Sequence, residues 1–144
     1  MKLFRAPSPS QVSFGLAVLR VATGIVFLNH GYAKMFKMGI GGVTGFVGNV
    51  GIPLPNVMAT LITLLEVFGA VALIVGFLTR PLAVVFALDM LGAIFLVQLK
   101  NGFSKFELEF LLLGAAIALI FTGPGRYSID AMIAGRSEGR AGVT

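Results

Sequence analysis

The 144-residue chain is 57% hydrophobic and only 12% charged, with a mean hydropathy of +0.97; soluble domains carry about 25% charged residues. It has a net charge of +5, no cysteine and one histidine, which excludes disulfides, thiol relays and cysteine-ligated clusters and leaves no self-contained metal or haem site, so no intrinsic cofactor is expected. The basic residues are thinly spread over loops and ends, a pattern suited to an anionic lipid surface and not to nucleic acid.

The N-terminal "MKLFRAPSPSQ" is a basic start that leads into an apolar run, as a secretory signal does. No small-residue cleavage site follows, and the run ends in His30 and Lys34, so a retained first helix is expected. Four apolar segments have roughly the 20 residues needed to cross about 30 Å of hydrocarbon. The hydropathy pattern predicts them near residues Val12 to Phe36, Asn56 to Leu78, Pro81 to Leu99 and Lys105 to Thr122, the last stopped by "GPG". The expected fold is an all-α, four-helix transmembrane bundle over residues 1–130, with residues 131–144 as a polar, flexible tail.

Between the first two spans lies "KMGIGGVTGFVGNVGIPLP", with glycine at 39, 42, 45, 48 and 51. A short interfacial helix is expected here, with Val43, Phe46, Val47 and Val50 on one apolar stripe; a glycine-rich loop is the alternative. Short links, "GFLTRP" and "KNGFSKF", make the later spans antiparallel neighbours. Both ends then share a side with Lys2, Arg5, Arg80, Arg126, Arg136 and Arg140, against Lys34, Lys37, Lys100 and Lys105 opposite. That bias predicts cytoplasmic termini in an integral membrane protein.

Lipid penalises the polar groups these spans contain, by about 2.5–3.5 kcal/mol for a charge at a helix centre on insertion scales. On a 100° helical wheel, Arg20, Gly24, Phe27, Gly31 and Lys34 share one face, flanked by Thr23 and His30, with Asn29 beside the histidine. The second span contributes Glu66 on a stripe of small residues; the third contributes Asp89. Two bases facing two acids would shelter one another from lipid. The set is either internal glue that sets helix register or the lining of a pocket for a small molecule or proton route. A histidine and an asparagine favour the pocket, since an ion-pair lock needs neither. Glu107 and Glu109 are expected at the interface, with Tyr32 and Tyr127 as headgroup anchors.

"LRVATGIVFLNHGYAKMF", "GIPLP", "LLEVFGAVALIVGFLTRPLA" and "GPGRYSID" occur in that order along the chain, and in this the chain resembles DoxX-like integral membrane proteins over nearly its full length. The resemblance implies a four-helix membrane bundle whose polar positions correspond to Arg20, His30, Gly31, Lys34, Glu66 and Asp130. It also implies association with a redox system, since some members are similar to the membrane subunit of a thiosulfate:quinone oxidoreductase and others are linked to oxidant-defence complexes. Quinone is then the candidate ligand, and a partner subunit or larger complex, or further copies of the chain, the candidate partners besides membrane lipids. In that role Arg20 and Lys34 would bind an anionic or carbonyl oxygen, His30 would be the catalytic proton carrier, and Glu66 with Asp89 would balance charge. The alternative is a non-enzymatic accessory subunit packed against a larger respiratory or electron-transport complex.

Overall fold

The computed structural model describes residues 6–141, with side chains as far as residue 135. Lys2 and Arg5 of the terminal charge count lie outside the described residues, and so do the side chains of Arg136 and Arg140. Among the described residues every regular element is a helix.

Helix α1 (Pro9–Tyr32) opens on a capping box: the Ser8 hydroxyl accepts from the Gln11 amide while the Gln11 side chain accepts from the Ser8 amide at 2.8 Å. Pro9 fits the first helical position, where no amide hydrogen is needed. The helix runs on as a π-helical segment, Ala33–Met38, until Gly39, at φ 70°, turns the chain. Helix α2 (Gly39–Asn49) then packs back on α3 (Pro55–Leu64), seating Val43 and Val47 against Ala59. The glycine-rich stretch is therefore a helix, and its valine stripe is what holds it to its neighbour.

Helix α3 passes through a second π-helical segment, Leu65–Gly69, into α4 (Ala70–Val75). Gly76, at φ 75°, ends α4: its amide bonds to Leu73 and that of Phe77 reaches back to Ala72, the paired bonds of a Schellman stop. Helix α5 (Thr79–Gly92) continues into a third π-helical segment, Ala93–Gln98. Helix α6 (Glu107–Thr122) and the polar α7 (Ile129–Ala141) are the last elements among the described residues.

Among the described residues, three helical stretches are long and apolar enough to cross a membrane: Pro9–Asn49, Pro55–Val75 and Thr79–Asn101. The fourth expected span is α6, whose 16 residues rise about 24 Å, less than the 30 Å or so of a typical hydrocarbon layer. Helix α1 packs on α4, on the π-helical segment before it and on α6, and α5 packs along α6. At the centre Phe27 of α1 stacks on Phe86 of α5, with ring centroids 4.0 Å apart, among Leu73, Met90, Leu112 and Leu119.

Gly24 and Gly31 bring α1 close to its neighbour, as small residues do where helices meet in lipid. A Cβ on Gly31 would lie 2.7 Å from the backbone carbon of Glu66, whereas one on Gly24 would first meet the flexible Ile74 side chain, at 2.5 Å. Backbone cannot step aside as a side-chain end can. Gly31→Ala is therefore expected to cost about 1–3 kcal/mol and more than Gly24→Ala, as read from thermal unfolding in detergent.

Candidate functional site

The close approach at Gly31 positions Lys34 one turn further along α1. Its ammonium donates to both carboxylate oxygens of Glu66, each at 2.6 Å. Glu66 is 0% exposed, and the Lys34 side chain is 26% exposed. One turn before Glu66, the buried Thr63 hydroxyl is satisfied by the Ala59 carbonyl at 2.8 Å. Asp89 of α5 reaches Glu66 side chain to side chain, and its Oδ2 is buried with no hydrogen-bond partner. Lys34, Glu66 and Asp89 thus come together from three separate spans.

All three π-helical segments lie at this level. Lys34 is in the first, Glu66 in the second, and the third begins four residues after Asp89. A π turn inserts one residue and re-aims the side chains around it, and such turns recur at functional sites. No composition or spacing marks these turns in the sequence.

Beside the triad, α2, α3 and α5 with their extensions bound a half-open groove of about 730 Å³, within the 300–1,000 Å³ or so of small-molecule sites. Its charged lining residues are Lys34 and Asp89; the rest of the wall is apolar, including the Val43, Phe46, Val47 and Val50 stripe of α2. Such a groove suits a molecule with an apolar body and a polar ring or head. Among the described residues, no group of three or more His, Asp and Glu side chains is placed to hold a metal ion.

Arg20 is elsewhere. It shares a face of the first span with Lys34, but the fourteen-residue step from one to the other makes about 21 Å of height. Its Nε donates to the Ile74 carbonyl at 3.3 Å, Nη1 to Pro124 at 2.6 Å and Nη2 to Tyr127 at 2.6 Å. The residue is 3% exposed, so the oxygens it binds are those of its own chain and not of a ligand. Around it "GPGRYSID" folds onto the α4–α5 turn. The Asp130 carboxylate accepts from the amides of Leu78 and Thr79 at 2.8 and 2.9 Å, capping α5 and holding Leu78 at its unusual φ of 51°. Ser128 caps α7, accepting from the Ala131 amide at 3.1 Å.

His30 is half-buried, and its imidazole makes no hydrogen bond to a described residue. It lies within electrostatic range of Lys34 and Asp89 and of Glu109 at the start of α6. Asn29 is exposed, on the outer surface of α1, and does not join the set.

The DoxX family model matches residues 15–99. The chain is 39% identical over 120 residues to "Putative oxidoreductase CatD" of Bacillus subtilis (strain 168), covering 83% of this chain and 87% of that protein. It is 31% identical over 124 residues to "Inner membrane protein YphA" of Escherichia coli (strain K12), covering 80% and 87%. To "Inner membrane protein YqjF" of the same organism it is 32% identical over 123 residues, covering 83% and 92%. No solved structure matches the chain. With a family match over more than half its length and relatives that align along most of theirs, the chain belongs to the DoxX family of membrane proteins.

Proposed function

We propose that this chain is the membrane subunit of a quinone-linked redox system, and that the groove between α2, α3 and α5 holds the quinone. The supporting observation is the pairing of an apolar groove of about 730 Å³ with just two charged wall residues, Lys34 and Asp89. The apolar wall fits an isoprenoid tail. The Lys34 ammonium is a donor for a ring oxygen, and the ion pair with Glu66 holds it in place. A bound quinone would supply the electron-carrying chemistry; the residues of this chain bind, orient and exclude water. Electrons would come from a partner subunit, for which the relative named an oxidoreductase is a precedent in name. In this reading α6 is the fourth crossing, both termini are cytoplasmic, and His30 exchanges protons between the triad and Glu109.

One observation favours a purely accessory role: the Lys34 ammonium is already bonded to both oxygens of Glu66, as internal glue would be. Binding separates the two. A Cβ on Gly92 meets nothing within 4 Å, although Gly92 lines the groove, so Gly92→Phe fills the groove without disturbing the core. Wild-type protein in nanodiscs is expected to bind a short-tailed benzoquinone, and Gly92→Phe to weaken that at least tenfold, or about 1.4 kcal/mol. No binding by the wild type, or equal binding by both, rejects the quinone reading and leaves the accessory one.

A further inference from the structure

Three charged groups meet at the groove wall, and their charges do not balance. Lys34 supplies one positive charge; Glu66 and Asp89 supply two negative ones if both are ionised. Glu66 is wholly buried, and both its oxygens are occupied by Lys34. Asp89 touches Glu66, yet its buried Oδ2 has no donor. Two ionised carboxylates are both acceptors and cannot bond to each other. Held close in a low-dielectric site with a single cation, they cannot both stay charged cheaply.

The other charged groups near the pair do not supply the missing donor. On α1, His30 is in electrostatic range of Asp89 but makes no hydrogen bond to it, and it sits beside Lys34, whose like charge opposes a second cation there. On α6, Glu109 is a further acid and acts on His30. Arg20 is at the other end of α1 with all three of its guanidinium nitrogens bonded.

We infer that Glu66 and Asp89 share one proton, and that Asp89 presents it to an oxygen of the molecule in the groove. The shared proton makes one carboxyl a donor, closes the Glu66–Asp89 contact and reduces the triad to one positive and one negative charge. The two acids differ in position: Asp89 lines the groove and Glu66 does not. Asp89 therefore works as a ligand-facing donor beside Lys34, with Glu66 as the positioning residue behind both. Lys34 and protonated Asp89 together offer two donors to a carbonyl ring system. The hand-off to a ligand rests on the groove being the binding site proposed above; the shared proton does not.

Infrared spectroscopy of the ligand-free protein in nanodiscs reads the proton directly. The chain has six acidic residues. At neutral pH the wild type is expected to show a protonated-carboxyl stretch that moves in heavy water. Asp89→Asn and Glu66→Gln each leave one carboxylate against one ammonium, so each is expected to lose the band. A wild type with no such band, or a band that survives in either variant, overturns the shared proton. Adding the short-tailed benzoquinone is expected to shift the band in wild type and not in Gly92→Phe. A band that ignores bound quinone overturns the hand-off. A band present in protein that binds no quinone rejects the groove as a quinone site, and the hand-off with it, but not the shared proton.

Discussion

Lys34→Met is expected to destabilise the protein by about 3–5 kcal/mol, the usual penalty for removing one partner of a buried ion pair. Methionine replaces the lysine stem, so packing is largely kept. What is lost is the cation that Glu66, 0% exposed, has at 2.6 Å on both oxygens. Thermal or denaturant unfolding in detergent, followed by helical circular dichroism, measures the loss. The double variant Lys34→Met/Glu66→Leu is expected to recover most of it, because replacing both charges by apolar side chains removes the desolvation cost along with the attraction. That recovered protein should still fail to bind a short-tailed benzoquinone. Stability restored without binding shows that the pair serves the groove; stability and binding restored together would make it glue alone. A single variant as stable as wild type would show that the pair is not structural.

Arg20→Gln is expected to cost a similar amount, about 3–5 kcal/mol, for a different reason. Bonds from a charged donor are worth about 1.5–3 kcal/mol each, though not additively. Arg20 makes three of them, to the carbonyls of Ile74, Pro124 and Tyr127. Ile74 lies at the end of α4, where helix carbonyls run out of amide partners; Pro124 and Tyr127 lie in the "GPGRYSID" turn. Arg20→Lys keeps the charge but presents one nitrogen in place of a planar fork, so it should recover less than half of the loss. Hydrogen exchange should quicken around residues 74–80 and 123–131. Quinone affinity per folded molecule should not change, since the triad lies about 21 Å away along α1. A fall in affinity would place Arg20 functionally at the groove.

These two results would separate what a helical wheel merges. Projected down the axis, Arg20 and Lys34 share a face, and in the structure both are directed inward against the second span. The projection discards height, so it could not show that they work at opposite ends of the helix with different partners. Adjacency in the sequence put Asn29 beside His30, although nine 100° steps from Arg20 carry Asn29 to the outer surface. Glu66 and Asp89 were recognisable as polar residues deep in apolar spans. That Lys34 pairs with Glu66, and that Asp89 touches Glu66 from a third helix, follows from which backbone meets Gly31, a glycine whose inward face was legible but whose partner was not, and from the π turns, which have no local signature.

Several features were determined by the sequence alone, because they depend on near neighbours: the apolar runs, the stop at Gly123, the valine stripe of α2 and the membrane setting. Lipid and the hydrogen-bonding needs of the backbone act on each segment separately, so each segment carries its own mark. Only the tertiary structure decided the groove, the Lys34–Glu66–Asp89 triad and the Arg20 clasp. Their energies depend on which side chains meet at one depth, on how closely backbones approach, and on which buried acceptor lacks a donor. Those quantities belong to pairs of helices and are written in no single one.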